Sequence, residues 1–480
     1  MKEENGEQVE DKKEDIMRSL KGIGKTPVTR QFLVAFGPIV ITGVLGMTEG
    51  YSSILLPQLQ NENSTIQVDT KIASLIASMA SFPMVGGCIA GGYAMEKIGR
   101  KAIHIWACLP LVLGWFIIAA APNSLLIIMG RFLTGVSDGL LGPPTGVYIA
   151  ETAQPSIRGA LIMATCVAIA VGVFSVHLMG IFFTWRTTAL ISGLIPIPIA
   201  VLMYFMPESP TFLAKIERIE EAKKAFYWCR GTSKESNREL QELIERQEEL
   251  NNTPKMSLRQ QARGLSKPEF WKPTVIISVL FFTSQITGNN AIASYSITIL
   301  QECGVSGEFF DEYMAMVVMD SSRLISSVIS CILVNTLRRR SLALLSGYGV
   351  TVMLFLLCSY LFISPLLSFN SPFLVLMILV GYVCSIAFGL LPLSWTMMGE
   401  VFPLAYRGLG TGISSSVCYL FLYLVVQTFP LLLLFFGDIF CVFLVYCVCT
   451  LGGTVFLTFF LPETKDKPLF VIEDNFKNEK

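Results

Sequence analysis

The chain has 480 residues, no net charge at neutral pH, 52% apolar and 15% charged residues, and a mean hydropathy of +0.59. Soluble domains carry about 25% charged residues, so this composition excludes an ordinary water-soluble domain and points to a membrane. Balanced charge without a clustered basic stripe argues against nucleic acid as a partner.

Residues before about Arg30 are polar and charged with no apolar core, which predicts a disordered tail over 1–31 and no cleavable signal peptide. Six apolar runs follow in an N-terminal half over 32–206: Phe32–Leu56, Ile72–Met95, Ala102–Ala121, Leu125–Ala150, Ala160–Phe183 and Thr187–Met206. Each is long enough for ~30 Å of hydrocarbon, which takes about 20 helical residues. A linker over 207–272 comes next. There Leu213, Ile216 and Ile219, then Leu240 and Ile244, recur at helical spacing among Glu, Lys and Arg. The spacing predicts amphipathic helices over 211–230 and 234–250, a solvated linker of fluctuating helicity being the plainer alternative. The C-terminal half over 273–461 supplies Thr274–Leu300, Tyr313–Leu337, Leu342–Leu367, Phe373–Met398, Leu409–Leu434 and Ile439–Leu461, before a tail over 462–480. Backbone groups in lipid must be satisfied internally, so the runs are helices. The fold class is therefore an all-α membrane protein of twelve transmembrane helices in two pseudo-symmetric halves.

Basic residues fall on alternate connections, at Lys97, Arg100, Lys101, Arg158, the linker, Arg338 to Arg340, Arg407 and the tail. By the positive-inside rule the termini and the linker are cytoplasmic. The same positions carry a repeat. Glu151 followed by Arg158-Gly159 returns as Glu400 followed by Arg407-Gly408, Gly99-Arg100-Lys101 returns as Arg338-Arg339-Arg340, and Pro207-Glu208-Ser209 returns as Pro462-Glu463-Thr464. Such duplication marks transporters whose halves rock about a site at the bilayer midplane.

Most of the twelve cysteines lie inside apolar runs without metal-ligand spacing, and His104 and His177 are lone imidazoles, which predicts packing and no metal site. Asn63-Ser64-Thr65 is a glycosylation sequon on the first outer loop; Asn251-Asn252-Thr253 matches the pattern on the cytoplasmic side. No nucleophile arrangement or phosphate-binding loop appears, so neither an enzyme nor an ATP-driven pump is expected, and no cofactor is needed.

Several motifs together resemble the sugar porter branch of the major facilitator superfamily, most of all its insect facilitated trehalose and hexose transporters. They are Gly92-x-x-x-Glu96-x-x-Gly99-Arg100-Lys101, Gly130-Arg131-x-x-x-Gly135, the two Glu-to-Arg-Gly cassettes, Pro207-Glu208-Ser209-Pro210, Gln285-x-x-Gly288-x-Asn290, Pro392-x-x-Trp395 and Pro462-Glu463-Thr464-Lys465. The resemblance implies a plasma-membrane, multi-pass and monomeric transporter of a small-molecule sugar, working by facilitated diffusion. Gln285, Asn290 and Trp395 occupy sugar-contacting positions. Thr287-Gly288 between the amides lets that helix loosen, and Ser284, Cys166 and Arg323 stand where the family carries amides. Cys418, Tyr419 and Ala387 also depart from the family's polar pattern.

Glu96, Arg100, Lys101, Glu151, Arg158, Arg339, Arg340, Glu400 and Arg407 are expected to form cytoplasmic ion pairs that hold that side shut, ordinary positive-inside residues being the alternative. Arg323 lies roughly 22 Å from the inner arginines at ~1.5 Å per residue, deep in the bilayer, and needs a partner. Asp320, one turn away on the same helix, is the simplest; an anionic substrate or Asp138 is the alternative. Glu49 and Arg131 form a possible proton-coupling pair, although Ser52 holds the position where the family's proton-coupled members carry the acid. Three functions stay open: a sugar transporter, an organic anion or proton-coupled transporter on the same fold, and a non-transporting sugar sensor.

Overall fold

The computed structural model describes residues 26–62, 64–252, 267–305, 311–367, 371–402 and 407–465. Among them lie twelve helices long and apolar enough to cross a membrane. Spans 1 to 6 are Pro27–Gln60, Thr70–Ile98, Arg100–Ala120, Ser124–Thr152, Pro155–Phe182 and Trp185–Phe205. Spans 7 to 12 are Phe270–Ser294, Glu312–Val334, Arg339–Leu366, Pro372–Val401, Gly410–Phe436 and Ile439–Phe460. No strand occurs among the described residues.

Local polar groups set the ends of these helices. Thr26 and Thr29 form a reciprocal capping box ahead of Pro27, whose missing N–H is harmless in a first turn. Asp69 Oδ1 accepts from Ile72 N–H at 2.8 Å, and Asn123 Oδ1 accepts from Leu126 N–H at 3.0 Å. These contacts satisfy first-turn donors that have no partner inside the helix. Apolar side chains then cover the outer surface of the bundle, Phe435 being 81% and Phe459 74% exposed. In water such a surface would drive aggregation; in lipid it is solvated.

The helices associate by close packing of small residues, since lipid offers no hydrophobic gain for pairing apolar faces. Spans 1 and 5 show this best. A Cβ on Gly172 would stand 1.9 Å from the carbonyl oxygen of Gly43, so this crossing admits only glycine at that point. Between the two sets of six, span 2 packs on span 11 and span 5 on span 8.

The linker helices are Pro210–Lys215, Ile219–Arg230 and Lys234–Asn252. The predicted helix over 211–230 is therefore two, because the chain turns at Glu217, whose φ is +64°. They lie against the bundle: Arg30 Nη1 donates to Trp228 O at 3.3 Å and Gln31 Nε2 to Cys229 O at 3.2 Å. The N-terminal ends of spans 3 and 9 lie on this linker side, where Arg100 and Arg339 N–H groups donate to Glu208 and Glu463. Of the predicted tails over 1–31 and 462–480, residues 1–25 and 466–480 fall outside the described residues, as does Asn63, whereas residues 27–31 already belong to the first helix, which the Thr26 cap starts earlier than expected.

Candidate functional site

Span 7 is continuous up to Ile286, breaks, and resumes as Asn289–Ser294. Gly288 makes the break with φ +86°, a conformation in which other residues are strained. It is also crowded, since a Cβ there would lie 2.7 Å from two ring carbons of Tyr446. The loosening expected at Thr287-Gly288 is thus present. Its effect is to bring two amides from opposite sides of the break together: Asn290 Nδ2 donates to Gln285 Oε1 at 2.7 Å, while Gln285 Nε2 points to Cys418 Sγ at 3.2 Å.

Both amides line a cavity between the two sets of six spans, with about 870 Å³ of empty space that includes its open mouth. Trp395 forms one apolar wall, packed edge-on against Phe281 at 5.1 Å and tilted against Tyr419 at 5.9 Å. Cys166 and Ala387 line it too, which leaves thiol and methyl surface at two points. Asn289 also faces the cavity, and its Oδ1 is buried without a hydrogen-bond partner. The sequence reading missed this residue. Its signal was the doubled amide directly after Gly288.

Ser284 and Thr287 do not line the cavity. Thr287 is fully buried and its hydroxyl donates to Ser284 O at 2.8 Å, while Tyr382 Oη donates to Thr287 O at 3.0 Å. These residues satisfy the carbonyls freed by the break, and the helical twist turns Ser284 away from the wall that holds Gln285.

Arg323 lines the cavity with its Nε buried and unbonded. Its expected partner Asp320 is engaged elsewhere, by His177 of span 5 at 2.5 Å. Residues three apart on a helix are neighbours, but His177 of the fifth span takes the Asp320 carboxylate instead. No ion pair joins Arg323 to Asp138 among the described residues. Glu49, from span 1, faces the same cavity, so one carboxylate and one guanidinium from opposite halves border the space.

The pairing of Glu49 with Arg131 is not formed. Arg131, 1% exposed, donates to Thr48 O at 2.6 Å, Ser52 Oγ at 2.9 Å, Ala77 O at 3.1 Å and Ile76 O at 3.3 Å. Four of a guanidinium's five N–H groups are thereby used to clamp spans 1, 2 and 4. Ser52, with no charge, suffices as the partner.

On the linker side the charges form two matching clusters. Arg100 contacts Glu151 at 3.0 Å and Glu96 at 2.8 Å, and Glu96 also meets Lys215. Arg339 contacts Glu400 at 2.8 Å. Glu208 Oε1 accepts from Arg100 N–H at 3.0 Å, and Glu463 Oε1 accepts from Arg339 N–H at 3.1 Å. Ser209 Oγ bonds to Glu151, and Thr464 Oγ1 donates to Glu400 at 2.7 Å. Lys101 Nζ reaches Tyr204 O at 2.6 Å; Arg340 Nη2 reaches Thr458 O at 2.5 Å. The sequence repeat is therefore a repeat of contacts.

These contacts stay within each half, however. Among the described residues no ion pair joins the halves on the linker side, and the described contacts of each cluster lie within one half or its adjoining linker. Arg158 donates to Ala153 O at 3.5 Å and feels Glu239 of the linker at longer range, while Arg100 occupies Glu151. The side chain of Arg407 lies outside the described residues. Hydrogen bonds do link the halves: opposite the linker Ser74 Oγ donates to Gln427 O at 2.6 Å, Ser78 bonds the Gln427 side chain and Ser294 Oγ donates to Glu49 O at 3.4 Å, while Ser416 Oγ donates to Val85 O at 2.8 Å and Cys331 Sγ lies 4.0 Å from Met163 O nearer the linker. The cavity wall runs toward the linker side as far as Met163 and Ser330.

His104 is satisfied as expected for a packing residue, with Nδ1 2.7 Å from Arg100 O and Nε2 3.3 Å from Thr145 Oγ1. No metal-ligand cluster occurs among the described residues.

Comparison with known proteins agrees with this architecture. The chain resembles a facilitated trehalose transporter, Tret1, of Bombyx mori, at 30% identity over 92% of this chain and 86% of that protein. A Tret1 of Apis mellifera ligustica is 27% identical over 99% and 94%. Among solved structures, the proton:xylose symporter XylE bound to 6-bromo-6-deoxy-D-glucose superposes with a TM-score of 0.77 at 20% identity, covering 94% of this chain and 99% of that one. An inward open conformation of XylE from E. coli gives 0.74 at 19%, over 93% and 99%. A profile of the family described as Sugar (and other) transporter matches residues 32–476, and the chain belongs to that family.

Proposed function

We propose that the protein carries a neutral sugar, trehalose or a hexose, across the plasma membrane by alternating access and facilitated diffusion, as a monomer with the linker side cytoplasmic. The central cavity supports this reading most directly. Sugar hydroxyls both donate and accept, and Gln285, Asn289 and Asn290 present amides of both kinds beside the Trp395 face. Relatives named as trehalose transporters favour the disaccharide or its units. Glu49 and Arg323 have opposite formal charges, so the lining carries no net charge, which suits a neutral solute better than an anion. Proton coupling loses support because Arg131 is engaged by Ser52 and backbone carbonyls. Lys97, Arg100, Lys101, Arg339 and Arg340 on the linker side favour a cytoplasmic placement of that side. The Asn63 sequon, if used, places the first loop outside.

Counterflow of labelled trehalose, glucose, fructose and an organic anion in proteoliposomes tests the proposal. Sugar counterflow that survives collapse of any pH gradient is the expected result. Anion counterflow without sugar counterflow would overturn it, and absence of both would leave a sensor.

A further inference from the structure

His177 and Asp320 are buried, at 0% and 3% exposure. The imidazole has acceptors on both sides: Nδ1 is 2.5 Å from Asp320 Oδ2, and Nε2 is 3.0 Å from the carbonyl oxygen of Gly50. His177 is on span 5 and Gly50 on span 1, whereas Asp320 is on span 8. The ring therefore bridges the two halves on the side opposite the linker, where the Ser74 and Ser78 bonds to Gln427 also lie.

Hydrogen-bond accounting fixes how many protons this bridge holds. A carbonyl oxygen only accepts, so Nε2 carries a hydrogen. Nδ1 then faces a carboxylate oxygen across 2.5 Å, a contact that is attractive only with one proton between them. Whether it sits on the ring beside an ionised Asp320 or on Asp320 beside a neutral ring, the count is the same. The pair is neutral overall. Without that proton a nitrogen lone pair would face a carboxylate in a buried site, and the bridge would become repulsive.

Charged and titratable neighbours on the packed elements are engaged elsewhere. Glu49 of span 1 and Arg323 of span 8 face the central cavity. Tyr51 Oη donates to Trp185 O at 2.8 Å, and Arg186 Nη1 donates to Ala119 O at 3.0 Å. In span 4, Arg131 is held by its four acceptors, and Asp138 is buried with no ion pair to the bridge.

We infer that His177 and Asp320 form a proton-binding site that closes the seam opposite the linker: the halves join there with one proton bound, and parting them releases it to the side from which it came. The proton is not carried across. The site makes the balance between the two facing conformations depend on pH on that side, whatever solute the cavity takes.

The sign follows from the proton count. Once the halves part, both groups meet water, where a histidine keeps its second proton only below about pH 6.5 and a carboxylate ionises above about 3.9. Above about pH 6.5 the joined state thus holds one proton more than the parted state, and acid favours joining. The ratio of parted to joined protein should rise up to about tenfold per pH unit there, and level off below about pH 6.5.

Hydrogen exchange of the full-length protein in lipid nanodiscs, between about pH 6 and about pH 8.5 with rates corrected for intrinsic exchange, reads this balance at the ends of spans 1, 5 and 8 opposite the linker. In the wild type those ends should lose protection as pH rises, by up to about tenfold per unit. His177→Gln and Asp320→Asn keep hydrogen-bonding capacity without the titrating pair, and should each change less than about twofold over the range. A flat wild-type profile overturns the inference with no variant required. A wild-type slope retained in either variant overturns it as well.

Discussion

Replacing Gly288 by alanine tests whether the break in span 7 builds the site. Two costs can be worked from the geometry. The left-handed φ of +86° costs an L-residue roughly 1–2 kcal/mol. The added Cβ would sit 2.7 Å from Tyr446 Cδ2 and Cε2, well inside ordinary contact. Tyr446 is 1% exposed and packed edge-on against Phe443 at 6.4 Å, so the ring cannot swing away freely, and overpacking of this kind costs about 1–3 kcal/mol. Together Gly288→Ala should destabilise by about 2–5 kcal/mol. Denaturant unfolding of the purified protein measures this, and a cycle with Tyr446→Ala separates the parts: coupling of about 1–3 kcal/mol should appear, with the φ share remaining. Because Gln285 and Asn290 flank the break and meet at 2.7 Å, displacement should also raise the sugar KM by about tenfold, near 1.4 kcal/mol. Stability within about 0.5 kcal/mol of wild type, or no coupling to Tyr446, would refute this account of the break.

Arg100→Ala and Arg339→Ala each strand a partly buried carboxylate, Glu151 or Glu400, and should destabilise by about 3 kcal/mol; unequal losses in thermal unfolding would argue that the two clusters are not equivalent. Arg323→Gln keeps donors at the cavity while removing the charge, and sugar uptake should stay within about threefold of wild type. Complete loss of sugar uptake would count against a neutral solute balanced by Glu49. Cys229, in a linker helix outside the membrane spans, is fully buried, and burial pushes its thiol up to about 12. At about pH 8 it should resist maleimide until the protein is denatured, since the thiolate is the reactive form; rapid labelling of the native protein would show the linker helix is not docked.

Much of the fold was legible because lipid simplifies the problem. A run of about 20 apolar residues has few alternatives to a spanning helix, and twelve such runs appear both in the sequence and in the structure. The break in span 7 was legible too, since Thr287-Gly288 carries a local backbone signal. Pairing between distant residues was not. Asp320 and Arg323 are close in sequence and of opposite charge, which made them natural partners, yet His177 takes the carboxylate from another helix. Glu49 and Arg131 failed as a pair for the same reason, with Ser52 and three carbonyls in place.

The duplicated charged motifs show where the division falls. Their residue types and spacing, read from the chain alone, established two related halves with charge at one end of the bundle, because hydrophobic periodicity and the cost of charge in lipid are properties of local sequence. Only the tertiary structure decided that Arg100, rather than Arg158, takes Glu151, that Arg339 takes Glu400, and that His177 joins the halves on the other side. Those choices depend on which helices approach within hydrogen-bond distance. Helix approach is set by packing at points such as Gly172 against Gly43, which no single stretch of sequence contains.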